Sequence, residues 1–256
     1  MRKTYKFVVA YDGASFTGWQ CQRDQHTVAG FIEQALSVIA LDHSKIAAAG
    51  RTDSGVHALG QVISVDADIR VPVSKLCRVM NQKLPDAIRI LKAEQKPASF
   101  HARFSAKARA YVYWLAMDTP PVFLKRYVGT IDHLPPIQIG SMKQAARLLI
   151  GEKYLKAFCT SGSESTSFYR NVHGLTVSVR KLTHPWGGDP IRVIQFTIKA
   201  NAFLYRMVRN VVGALLEVGC GSLSVSEFEK IVNLGDRKRF GKPVPPQGLY
   251  LKKVYY

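Results

Sequence analysis

Ile46-Ala-Ala-Ala-Gly-Arg-Thr-Asp-Ser-Gly-Val-His-Ala-Leu-Gly-Gln-Val-Ile-Ser-Val65 reads as strand, loop, strand. The apolar run 46–49 and the run 61–66 are the strands, and Gly50, Gly55 and Gly60 give the intervening chain its backbone freedom. A loop clamped between two strands presents a side chain rigidly, and the only acid in this one is Asp53. Arg51 precedes it and His57 follows on the same loop. Asp also serves ordinary turns by bonding to nearby backbone amides, so the residue types alone leave both readings open.

Before this stretch, residues 5–11 alternate as a strand and end on the turn pair Asp12-Gly13. A loop from Ala14 to His26 carries Phe16, Trp19 and Arg23. Val28, Phe31, Ile32, Ala35, Leu36 and Ile39 then recur at helical spacing behind Thr27, an N-cap type. After the Asp53 loop, Pro72 opens a helix to about Gln82 with Leu76, Val79 and Met80 inward, followed by a strand at 87–92. From Ser105 to Leu115 the alternation places Ala106, Ala108, Ala110, Val112 and Trp114 on one face and Lys107, Arg109, Tyr111 and Tyr113 on the other. Cations interleaved with phenol rings suit phosphates and bases, although a solvated sheet face has the same composition.

A turn-rich segment with Pro120, Pro121, Pro135 and Pro136 divides the chain, which gives expected halves 1–118 and 137–256 joined by a crossover at 119–136. The second half offers a helix around 141–150 and a polar loop from Thr160 to Ser167. Strands around Leu175–Val179 and Ile194–Ile198 form a hairpin turning at Pro185-Trp-Gly-Gly188. A helix is expected from about Asn201 to Val218, where Arg206, Arg209, Asn210 and Gly213 share a face away from the apolar stripe Leu204, Met207, Val208, Val211 and Leu215. An arginine buried in so apolar a segment needs an acidic partner, whereas one at the surface needs none. Ser224 and Glu227 have capping-box spacing, and a strand closes the chain at 248–256. Helices mixed with mostly non-crossover strands in both halves make the class α+β with mixed or antiparallel sheets, and a cleft between the halves is the natural site.

The balance of 36 Lys and Arg against 18 Asp and Glu leaves a net charge of +18. A basic chain of this kind points to a polyanionic partner, and nucleic acid fits best because the cations are spread along the whole sequence. A membrane surface would favour a basic amphipathic helix or a basic cluster beside an apolar span, and neither is present. Cys21, Cys77, Cys159 and Cys220 lie far apart without CxxC pairs or neighbouring histidines, which is the pattern of free thiols in a reducing compartment. The basic start is followed by too short an apolar run for a signal peptide, so a cytoplasmic location is expected.

Gly50-Arg-Thr-Asp-Ser-Gly-Val-His-Ala58 resembles the signature of the tRNA pseudouridine synthase A family. Three further blocks in order carry the same resemblance: Tyr11-Asp-Gly-Ala-Ser-Phe-Thr-Gly-Trp-Gln-Cys-Gln22, Phe100-His-Ala-Arg-Phe-Ser-Ala106 leading to Tyr111-Val-Tyr113, and Lys199 to Gly213, with Gly248-Leu-Tyr-Leu251 at the end. Within Gly151–Phe168 the chain departs from the family pattern at Tyr154-Leu155. The resemblance implies a pseudouridine synthase fold, two α/β halves flanking a central basic cleft. It also implies isomerisation of uridine to pseudouridine at tRNA positions 38, 39 and 40 in the anticodon stem and loop. No cofactor or metal is implied, and the partners would be tRNA and a second copy of the chain in a homodimer.

The resemblance further assigns Asp53 as nucleophile or C2′ base, Arg209 as its basic partner, and Tyr111 as the ring stacked on the target base and a candidate for removing the C5 proton. Arg51, His57, Lys107, Arg109 and Arg206 join Tyr111 as RNA contacts, although His57 could equally be packing the loop. Two rivals stand beside this reading. One is a non-catalytic RNA-binding protein, which has no need of Asp53. The other is a synthase of the same chemistry acting on a different RNA target.

Overall fold

Tyr5, Phe7, Val9 and Tyr11 are all buried along Lys3–Tyr11 (β1), while the residues between them are less so, and this alternation sets the register of the first sheet. The computed structural model describes residues 1–22, 25–131, 135–162, 165–185 and 187–256. Arg23, Ser163 and Glu164 of the expected loops, and Trp186 of the expected turn, lie outside the described residues. So do residues 132–134 of the expected crossover. The chain groups into two units, Met1–Arg109 with Tyr250–Tyr256, and Ala110–Leu249.

In the first unit Val28–Ile39 (α1) starts where Thr27 Oγ1 accepts the Gly30 N–H at 3.3 Å, the N-cap its sequence announced. Ala40–His43 (β2) and the two-residue Ala47–Ala48 (β3) lead to His57–Ile69 (β4), the long strand at the centre of this unit. One edge of β4 takes β1 antiparallel. The other takes β3 and β2 antiparallel and, at its start, the closing strand Leu249–Tyr255 (β10) in parallel. Val73–Asn81 (α2) buries Leu76 and Met80, and Ile88–Lys96 (β5) pairs antiparallel with the free edge of β1. Full burial of Phe7, Ile32, Leu36, Ile63, Leu76 and Ile88 contributes about 1.5–3 kcal/mol each, as an upper bound.

The second unit is built on the order β6-β9-β8-β7: Ala108–Ala116 (β6), Gly151–Tyr154 (β7), Tyr169–Leu182 (β8) and Ile191–Ala200 (β9). The hairpin of β8 and β9 is antiparallel from Val172↔Ala200 to Leu182↔Ile191. Ile139–Arg147 (α3) packs on β8 and on Met207–Gly219 (α4), and Val225–Leu234 (α5) packs on both helices. The capping box of α5 is complete, with Ser224 Oγ accepting the Glu227 N–H at 3.2 Å and Glu227 Oε2 accepting the Ser224 N–H at 3.0 Å.

Three expectations are corrected here. β4 begins at His57, so that residue belongs to the strand and not to the loop. Helix α4 begins at Met207 rather than Asn201, because Arg206 takes a left-handed conformation at φ 56° and no helix passes through such a residue. Strand β6 has no open cation–phenol face: Arg109, Tyr111 and Tyr113 are 8%, 7% and 0% exposed, because both faces of the strand are covered.

Candidate active site and RNA-contact surface

The Asp53 loop is held mostly by backbone. Val56 N–H donates to Asp53 O at 3.1 Å and closes the turn, and Trp19 N–H donates to Thr52 O at 3.0 Å. Gly13 and Gly18 allow the opening motif to lie against this loop. A Cβ on Gly13 would sit 2.0 Å from Val56 O. One on Gly18, whose φ is 109°, would be 3.1 Å from Ser54 N and Thr52 O. Tyr11 Oη and Thr52 Oγ1 share a hydrogen bond of 2.7 Å, and Ser54 Oγ donates to Phe16 O at 3.3 Å. The first two motif blocks are therefore one body, and they leave Asp53 half-buried and Arg51 exposed. A loop backbone held this way fixes the point from which the Asp53 side chain is presented, as a nucleophile or base requires.

His57 does not reach solvent. It is 2% exposed, stacks on Tyr250 at 4.6 Å and 19°, and has Nδ1 3.0 Å from Gly13 N and 3.1 Å from Asp12 Oδ1. Its place is behind the loop, joining β4, β10 and the Asp12-Gly13 turn. Of the two readings of His57, RNA contact and loop packing, its burial and stacking agree with packing.

Arg109 is also withdrawn from the surface. Its Nε and Nη2 donate to Ala49 O at 3.1 and 2.9 Å, Nη2 to Arg103 O at 2.7 Å, and Nη1 to Ala106 O at 3.3 Å. A guanidinium has five donors and no acceptor, so three carbonyls are apt partners for a buried one. The residue ties the chain just before the Asp53 loop to the turn at 101–106, a structural task that the expected phosphate contact did not include. Lys107, two residues before it, is exposed as expected.

In the second unit Tyr111 is buried and meets Phe203 edge-on, with centroids 4.8 Å apart and planes at 74°, so its ring orientation is set by packing. Arg209, half-buried on the first turns of α4, donates from Nε to Val244 O at 2.7 Å. Burial pushes the neighbouring Tyr113 phenol well above its ordinary pKa, against the opposing pull of the Arg209 charge. Arg206 caps α4 in its left-handed conformation with its guanidinium 5.0 Å from the Tyr205 ring. It is the one non-glycine residue with positive φ among the described residues, and such strain concentrates at functional sites. The loop support by Tyr11, Thr52 and Gly18 was not read from residue types, although the quoted opening block contained two of the three. The same holds for Asn210. It is 2% exposed, donates to Phe158 O at 2.8 Å and accepts from Arg237 at 3.0 Å.

Among the described residues no three His, Cys, Asp or Glu side chains are placed to hold a metal ion, and no helix is long and apolar enough to cross a membrane. The family model described as tRNA pseudouridine synthase matches residues 7–105 and 145–256, which takes in the Asp53 loop and the whole of α4. The chain belongs to the tRNA pseudouridine synthase family. Its relatives include tRNA pseudouridine synthase A of Brevibacillus brevis, 41% identical over 99% of this chain and 100% of the relative. The enzymes of that name from a Thermoanaerobacter species and Lacticaseibacillus casei are each 38% identical, over 97% and 98% of this chain and 98% and 99% of theirs. Membership agrees with the mixed α/β architecture of both units and with the motif blocks that carry the resemblance.

Proposed function

We propose that this chain isomerises uridine to pseudouridine in tRNA at positions 38, 39 and 40 of the anticodon stem and loop, with Asp53 as the catalytic carboxylate. The observation that carries this reading is the Asp53 loop itself, a half-buried acid between an exposed arginine and a buried, fully packed support. The reaction breaks N1–C1′ and rejoins the base through C5. A carboxylate serves it either by attacking C1′ or by taking the C2′ proton. Arg209 would be the basic residue that serves the reaction at Asp53. Tyr111, its ring fixed by Phe203, would stack on the base, and its phenol is the group for the C5 proton. Extruding a stacked base costs a few kcal/mol, which phosphate contacts from Arg51, Lys107 and Arg206 would offset. His57 and Arg109 support the loop from behind. A homodimer working in the cytoplasm, where tRNA is modified, completes the proposal.

The test is incubation with unmodified tRNA transcripts followed by carbodiimide-block primer extension. Stops reporting positions 38 to 40, absent with Asp53→Ala while tRNA binding persists, are the expected result, and Arg209→Ala should lose activity in the same assay. Near-normal turnover by Asp53→Ala would overturn the assignment of that residue. Stops elsewhere would move the target and keep the chemistry, and binding without any stops would favour a non-catalytic RNA-binding protein.

A further inference from the structure

Phe104 stands 76% exposed on a turn whose backbone is held by several hydrogen bonds. Ser105 N–H donates to His101 O at 2.9 Å, His101 N–H to Ser105 Oγ at 3.1 Å, and Ala102 N–H to the Ser64 hydroxyl at 3.0 Å. The Tyr256 phenol donates to Ala102 O at 2.9 Å and the Arg109 guanidinium to Arg103 O at 2.7 Å. A turn fixed by five bonds does not need a solvent-facing phenyl ring to fold, and a large apolar side chain left in water contributes nothing to stability.

The ring is nevertheless prepared. It stacks on the His101 imidazole with centroids 4.4 Å apart and planes at 27°, and the Arg103 guanidinium lies 5.7 Å from its centroid. His101 Nδ1 accepts the N–H groups of Arg103 and Phe104 at 3.2 and 3.3 Å, which locks the imidazole plane and leaves its proton on Nε2. Arg103 and Lys107, both exposed, place cations on either side of the ring in sequence. A rigid π-face bordered by positive charge fits an unpaired nucleobase with its flanking phosphates, because every base offers a face to stack and a backbone charge to pair.

From this we infer that His101, Arg103 and Phe104 form a stacking platform for an unpaired nucleobase of the substrate RNA, apart from the residues proposed to act on the target uridine. The inference rests on the tRNA reading above. Arg109 gives it a geometric basis, since the nitrogen Nη2 that holds Arg103 O also holds Ala49 O at the entrance to the Asp53 loop. A base held on the platform is thereby referenced to the catalytic loop through one buried guanidinium.

The experiment compares the full chain with Phe104→Ala, Phe104→Leu and Phe104→Trp on a tRNA transcript, with thermal melting to check folding. Loss of one base stack should raise KM roughly 10-fold and leave kcat within about twofold, the pattern of uniform binding. Phe104→Leu should resemble Phe104→Ala. Phe104→Trp should restore KM, and its added fluorescence should be quenched by tRNA. An unchanged KM in Phe104→Ala would overturn the platform, and so would full function with leucine, which keeps bulk without a π-face. A loss of self-association that accounts for the KM change would assign the ring to contact between copies instead. If the unaltered chain makes no pseudouridine, the functional proposal fails, and quenching of Phe104→Trp by tRNA still decides the platform.

Discussion

Arg109 shows how a charged side chain can be taken up by the backbone of its own chain. Buried to 8% exposure, its guanidinium spends its hydrogen bonds on Ala49, Arg103 and Ala106 carbonyls. Removing it leaves those acceptors without their donors, and unmet buried polar groups are costly. Arg109→Ala is therefore expected to lower unfolding stability by about 3 kcal/mol, read from urea denaturation at constant slope. Arg109→Lys should recover only part of this, since one ammonium cannot span three carbonyls from a single fork. A stability equal to that of the unaltered chain would show that water satisfies these carbonyls. Arg51 and Lys107 are exposed, and their replacement should be felt in RNA affinity.

At the scale of elements, local signals translated directly where the chemistry is local. The α5 capping box closes both of its bonds, so Ser224→Ala should cost about 1 kcal/mol with tRNA turnover unchanged, measured by thermal melting beside a turnover assay. A drop in turnover without a drop in stability would connect α5 to the chemistry. Thr27 at α1, the β8–β9 hairpin and the closing strand were legible for the same reason: a cap, a period of two or a turn pair states its own geometry. What stayed hidden depends on neighbours far away in sequence. The alternation in β6 announced a strand but could not say that both of its faces are covered, which is why Arg109, Tyr111 and Tyr113 were read as open. Apolar periodicity ran through Asn201–Arg206 without showing the left-handed residue that delays α4 to Met207. His57 looked like a loop residue because the glycines around it masked the start of β4. Asp53 was legible as a presented acid, whereas the roles proposed for Tyr111 and Arg209 came from resemblance, since both stand far from it in sequence.

For the whole molecule the decisive quantity is the charge of +18, which no internal ion pair of this chain can neutralise. Ion pairs such as Arg192–Asp118 at 2.7 Å and Lys92–Glu94 at 2.6 Å occupy acids that are already outnumbered two to one, so a net positive field remains to attract a polyanion. Phosphate binding by such a surface releases counterions, and affinity for tRNA should fall by on the order of 10³-fold or more between 50 and 200 mM salt. The chemical step proposed for Asp53 has no reason to follow. We therefore expect KM to climb steeply with salt while kcat holds nearly level, and Asp53→Ala to bind with the same salt slope as the unaltered chain. The platform gives this measurement a second use, because stacking and charge pairing respond differently to ions. Phe104→Ala should displace the log–log line of affinity against salt downward without changing its slope. Lys107→Ala should reduce the slope by about 1. If the two lines instead turn together, ring and cation are not separable contacts, and the basic surface acts as a single field rather than as a set of addressed phosphates.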